Sequence, residues 1–183
     1  MRKLAMTILR RLILLLAAGL VIVCFSFLQS QIHAAGSLPQ VQLNADNVGP
    51  RGIEELTSKT ITRDYANAWK TMAEALDKNR PDLLDGYFTG FAKDKLAQLI
   101  AQQKQTGIRI KYDDRGHKVD ALFYSPSGDA MQLRDRAQLG IEIRDGGKVI
   151  HNEQGTVQYL VLMTPGADRW LVRDLVTTPE VKP

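Results

Sequence analysis

Residues 130–144 read AMQLRDRAQLGIEIR, and their apolar side chains return at every second position. Met131, Leu133, Ala137, Leu139, Ile141 and Ile143 share one parity, while Gln132, Arg134, Arg136, Gln138, Glu142 and Arg144 share the other. Successive side chains of a strand point to opposite faces, so this alternation predicts a long strand with one buried and one wet face. Asp145-Gly146-Gly147 follows, and its glycines suit the positive φ angles of a tight hairpin. The returning strand is expected from Lys148 to Thr164, with Gly155 as a bulge or bend. Pro165-Gly166-Ala167-Asp168 then turns into a last strand, Arg169 to Val176.

Upstream, Ile108, Ile110 and Tyr112 alternate with Arg109, Lys111 and Asp113. Val119 to Tyr124 makes a further strand, closed by Ser125-Pro126-Ser127-Gly128. Asp113-Asp114-Arg115-Gly116 reads as the turn between these two, and it lacks the spaced acids of a calcium loop. Before the strands the period changes. Ile61, Tyr65, Ala68/Trp69, Met72 and Leu76 form the stripe of an amphipathic helix that Thr60 or Thr62 can cap and Asn79-Arg80-Pro81 ends. A short helical turn from Pro81 to Asp85 comes next. Thr89 can cap a second long helix whose inner face is Phe91, Leu96, Leu99, Ile100 and Gln103, with Gly107 at its C-terminal stop. Two or three helices with apolar stripes and a sheet with one apolar face cover each other. The fold class is therefore α+β, with the helices packed on a curved antiparallel sheet of about five strands spanning residues 57–178, and 179–183 as a tail.

The N-terminal part is of a different kind. Arg2, Lys3, Arg10 and Arg11 mark residues 1–11 as a basic tail, and Leu12 to Leu28 (LILLLAAGLVIVCFSFL) carries no charge. A helix of that length spans roughly 25 Å, the lower end of what crosses a bilayer. Two readings stand: a retained transmembrane anchor, favoured by length, or a signal segment cleaved near Ala34-Ala35-Gly36. Both place the N-terminus in the cytoplasm and everything after residue 28 outside it, secreted or periplasmic if the segment is cleaved, because the basic residues precede the apolar run. Residues 29–56, rich in Gln, Ser and Asn with Pro39 and Pro50, read as a flexible tether.

Charge and cysteine content narrow the function. The chain has 24 Lys and Arg against 20 Asp and Glu, and removing the four basic residues of the tail leaves the rest neutral. That argues against nucleic acid, whose binding needs basic charge on the folded part. Cys24, the single cysteine, lies in the apolar run, so the domain has neither disulfides nor thiolate metal ligands. His33, His117 and His151 fall in a tether, a turn and a strand, without metal-ligand spacing. No phosphate loop or Gly-x-Ser-x-Gly motif occurs, and neither metal nor cofactor is expected.

Helices first, then a sheet whose last strand reads Arg169-Trp170-Leu171-Val172-Arg173-Asp174-Leu175, resembles the nuclear-transport-factor-like superfamily, a cone-shaped fold. Within it, Leu96–Tyr112 (LAQLIAQQKQTGIRIKY), Ala137–Ile143 (AQLGIEI) and Tyr159–Leu175 look like the intermembrane-space domain of chloroplast-division membrane proteins and their bacterial relatives. The anchor-plus-domain layout is also similar to inner-membrane assembly proteins of type IV secretion systems. The resemblance covers about residues 60–177 and implies a cone open between sheet and helices, and homodimerisation through the outer sheet face. It also directs attention to Asp135, the one acidic residue on the apolar parity of residues 131–143. Isomerase and cyclase members of the superfamily use an inward Asp as a proton-transfer base, and desolvation would raise such a carboxyl's pKa. A bulge that turns Asp135 outward, or an inward ion pair without function, are the structural alternatives. Tyr112, Tyr124, Tyr159 and Trp170 are the candidates to line the cone, or else core residues. The resulting expectation is a non-enzymatic, membrane-tethered interaction or scaffold module that binds other proteins, itself included. The alternative is a cavity protein that binds a small apolar ligand or catalyses an acid–base reaction with Asp135.

Overall fold

The computed structural model of the protein describes residues 38–179. The apolar run Leu12–Leu28 and the cleavage site lie outside them, and no helix among the described residues is long and apolar enough to cross a membrane. The elements are β1 (Val41–Asn44), β2 (Gly49–Pro50), α1 (Glu55–Lys78), a 3₁₀ turn (Pro81–Gly86), α2 (Gly90–Thr106), β3 (Ile108–Tyr124), β4 (Met131–Asp145), β5 (Lys148–Pro165) and β6 (Trp170–Thr178). They make an α+β domain with one sheet ordered β1-β3-β4-β5-β6, in which β2 also pairs with β3.

The helical stripe is where the periodicity puts it: Ile61, Tyr65, Ala68, Trp69, Met72 and Leu76 are all buried. Helix α1 nevertheless starts at Glu55, ahead of both threonines. Thr60 and Thr62 donate their hydroxyls back to the Thr57 and Ser58 carbonyls, the mid-helix alternative to capping. In α2, Ala92, Ile100 and Gln103 are buried and Leu96 and Leu99 half-buried. Phe91 is 67 % exposed, because the inward place in the first turn goes to Ala92. The side-chain amide of Gln103 donates to the Leu76 carbonyl and to Asn79 Oδ1, which ties α2 to the left-handed end of α1.

Three departures concern the sheet. Residues 38–56 are not a tether throughout: β1 and β2 run parallel to β3, with Val41 opposite His117 and Gly49 opposite Phe123. The stretch around Asp113-Asp114-Arg115-Gly116 is not a turn. It is a bulge inside one continuous strand, so the two strands read before Tyr124 are one, and the sheet has four long antiparallel strands and two short parallel ones. Gly155 sits in regular register opposite Leu139, and the irregularities of β5 fall instead beside Ile143/Arg144 and at Leu162/Met163. The Gly146-Gly147 hairpin forms as read, both residues at positive φ.

The core is the meeting of α1 and α2 with Val119, Ala121, Met131, Leu133, Ala137, Leu139, Val161, Met163 and Val172 of the sheet. Asp64, buried beside it, accepts the Trp170 N–H at 2.8 Å and pairs with Arg63 at 2.8 Å, fixing the start of β6 to α1.

Candidate functional site

The alternation of β4 carries Asp135 inward, between Val119 of β3 and Tyr159 of β5 in register. No bulge turns it out, and its side chain is 0 % exposed. A carboxylate there needs partners, since burial of an unpaired charge is costly. It has two. Tyr65 of α1 donates its hydroxyl to Asp135 Oδ2 at 2.7 Å, and His117 Nδ1 lies 2.8 Å from the same oxygen. The other ring nitrogen, Nε2, is 2.9 Å from Asp114 Oδ2. Asp135 Oδ1 is buried without a partner.

The bulge in β3 makes this arrangement possible. Strict alternation would give Asp114 and His117 opposite faces; the register shift between Asp114 and Gly116 brings both to the inner one. Gly116 holds φ at 127°, and a Cβ there would come within 3.2 Å of the Gln40 carbonyl. That carbonyl accepts the His117 N–H at 2.8 Å, so β1 pins the bulge from the far side.

Burial alone would lower the pKa of His117, but the hydrogen bonds and negative charges of Asp114 and Asp135 outweigh it and raise the value to about 9. Near neutral pH the ring is therefore an imidazolium held between two carboxylates. Trp69 lies over it, ring centroids 4.5 Å apart, where the indole face favours a cation. Burial, then the Asp135 charge, pushes the Tyr65 hydroxyl well above its usual pKa, so it stays a donor.

The chain Asp114–His117–Asp135–Tyr65 could carry a proton inward from the partly exposed Asp114. Turnover needs space, and the adjoining cleft, lined by Tyr65, Ala68, Trp69, Met72, Phe88, Val172 and Leu175, has no room for a water molecule. Both ring nitrogens are engaged by carboxylates, and no cluster among the described residues is arranged to hold a metal ion.

The aromatic candidates divide into two groups, neither lining that cleft. Tyr112 and Tyr159 stand edge-on around Trp69, at 6.4 and 5.2 Å. Tyr124 meets Trp170 at 6.2 Å, with the Arg51 guanidinium 5.0 Å above the tyrosine ring. Sequence reasoning selected Asp135 and missed the rest of its network. Tyr65 counted only as part of the helical stripe, and reading residues 113–116 as a turn placed His117 outside the sheet and separated it from Asp114. A histidine one residue after a glycine within an alternating stretch was the available signal for a bulge.

No family model matches the chain, and no curated protein matches it in sequence. Solved structures do. The intermembrane-space region of the chloroplast protein ARC6 superposes with a TM-score of 0.59 at 15 % identity, over 70 % of this chain and 98 % of that one. A member of the NTF2-like family from Streptomyces avermitilis gives 0.45 at 11 % identity, over 68 % and 99 %. A domain with a cystatin-like fold from Nostoc punctiforme gives 0.40 at 13 %, over 71 % and 81 %. The helices laid across a sheet bent around them are a fold that this chain shares with the ARC6 region, and the solved structures similar to it include proteins of NTF2-like and cystatin-like fold.

Proposed function

We propose that this protein is a non-enzymatic interaction module, tethered to a membrane by residues 12–28 and working outside the cytoplasm in a membrane-associated assembly. The observation that carries the reading is the closed centre of the domain. Asp135 Oδ2, the Tyr65 hydroxyl and both His117 ring nitrogens are engaged with one another or with Asp114, only Asp135 Oδ1 is left over, and the adjoining cleft has no room for water, let alone a substrate. Such a network fastens α1 to β3 and β4. The similar region of ARC6 is an intermembrane-space region, in keeping with a domain held on the far side of a membrane.

The surface that suits a protein partner is the outer face of the sheet. Phe123, Leu162 and Asp174 lie in one cross-strand row, with Gln132 between the first two, and Asp120, Arg134, Leu160 and Val176 form the next. Phe123 and Val176 are exposed and Leu160, Leu162 and Leu171 half-buried, an apolar patch bordered by charges. The alternative, acid–base catalysis by Asp135, has one observation in its favour: the carboxylate touches both an imidazole and a phenol. It requires an opening beside Asp135 that the packing of α1 does not leave.

The test is site-specific photo-crosslinking of the full chain in its own membrane. A crosslinker at Leu162 is expected to yield defined adducts that one at Lys104 on exposed α2 does not, and Leu162→Arg should remove binding without lowering the melting temperature. Equal labelling from both positions would sink the outer-face reading.

A further inference from the structure

The last pair between β5 and β6 is Gln158 with Thr178, and the next residue, Pro179, has no N–H to continue the ladder. Among the described residues no strand therefore lies on the free side of β5 from Lys148 to Val157. The stretch Lys148 to Thr156 is exposed throughout, Val149 and Ile150 being 43 % and 55 % accessible. Exposed edges are commonly blunted by charge. Charged and polar groups here are few, and they are ordered: His151 and Glu153 share one face, 3.3 Å apart, with Asn152 between them on the other.

Two copies of one strand can pair antiparallel about a two-fold axis perpendicular to the sheet. Directly opposed residues must then share a face, so the axis passes through a residue. An axis at His151 sets two imidazoles against each other, and one at Glu153 sets two carboxylates. An axis at Asn152 sets His151 opposite Glu153 of the second copy, and Glu153 opposite its His151, while the two Asn152 amides meet and Ile150 faces Gln154. Hydrogen-bond complementarity between imidazole and carboxylate thus favours the Asn152 axis over the two beside it.

We propose that a second copy of this chain adds to the free edge of β5 in that register, making one sheet continuous across two protomers. This contact is distinct from the outer-face patch and does not rest on it.

The experiment uses the full chain in mild detergent with Cys24→Ser, so that each added cysteine stands alone. Under mild oxidant Asn152→Cys is expected to give a covalent dimer, because opposed side chains on the axis come within disulfide reach, whereas Gln154→Cys faces Ile150 and stays monomeric. Glu153→Lys should abolish the dimer peak in sedimentation velocity, and His151→Glu combined with Glu153→Lys should restore it. These side chains are exposed, so unchanged melting temperatures accompany every variant. A monomer at all concentrations, equal crosslinking at both cysteines, or a dimer indifferent to Glu153→Lys overturns the pairing. A dimer lost with Leu162→Arg but kept with Glu153→Lys overturns it in favour of the outer face. A dimer mass without the 152–152 bond assigns association to residues 12–28.

Discussion

The same three strands behave differently along their length. From His117, Ala137 and Val157 toward the Tyr124–Met131 turn, inward positions of β3, β4 and β5 lie under helices, and Val119, Leu133 and Val161 are essentially inaccessible. Toward the Gly146-Gly147 hairpin the alternation continues, yet Ile110, Tyr112, Ile141 and Ile143 are only half-buried and β5 is exposed from Lys148 to Thr156. Strand chemistry is alike in both halves. The difference is made by what lies across them: α1, running from Ile61 to Leu76 over the covered half, and β6, which stops at Thr178. Burial converts alternation into stability only where a second layer is present. Among the described residues the projecting half keeps a free hydrogen-bonding edge and part of its apolar surface exposed.

The widest separation between the halves should come from His117→Ala. It leaves Asp114 and Asp135 without the cation that holds them, and removing one partner of a buried ion pair costs about 3–5 kcal/mol, read by urea unfolding. The triple variant Tyr65→Phe, His117→Leu, Asp135→Leu should recover part of that loss, since matched apolar groups avoid unpaired charge. A loss below that of an ordinary surface substitution would mean that the network does not fasten α1 to the sheet. Next, Leu133→Ala in the covered half should cost about 2–5 kcal/mol, as a cavity in a packed core does. Ile143→Ala, farther along the same strand, should cost less than about 1 kcal/mol because its side chain is already partly wet. Equal losses would erase the distinction between the halves.

A pH series sharpens the comparison from the covered side. The His117 pKa is raised from 6.5 to about 9, so the folded state holds that proton more tightly than the unfolded chain. The stabilisation is complete below pH 6.5 and fades as pH rises through 9, by up to a few kcal/mol. The melting temperature should decline across that window in the native protein, and the decline should flatten in His117→Gln. The smallest effect belongs to the hairpin: Val149→Ser is expected to change stability by no more than about 0.5 kcal/mol in the same unfolding assay. A larger loss would show that the projecting half is packed against something.

Much of the fold was legible because it rests on periodicity. The stripe from Ile61 to Leu76, the parity of Met131 to Ile143, the Gly146-Gly147 turn and the left-handed end at Gly107 are local patterns with local causes. Less of the site was legible. Asp135 stood out as an acid on an apolar parity, but its partners come from Tyr65, seventy residues away on a helix, and from His117, eighteen away across a bulge. A bulge shifts parity by one, so an alternating pattern read across it as two strands and a turn. Strands β1 and β2 were invisible for another reason: four residues and two residues carry too little pattern to register, and their pairing with β3 is a long-range event.

By itself the chain's order of residues determined the α+β class, the two long helices, the place of Asp135 on the apolar parity and the neutrality of everything beyond the basic tail, since each follows from side-chain spacing or composition. Only the tertiary structure decided that Asp135 meets His117 and Tyr65, that the cleft beside it has no room for water, and that among the described residues half of β5 has a free edge. Those outcomes depend on how far α1 and β6 extend across the sheet and on a one-residue shift in β3. Such relations join residues far apart in the chain, and no local period records them.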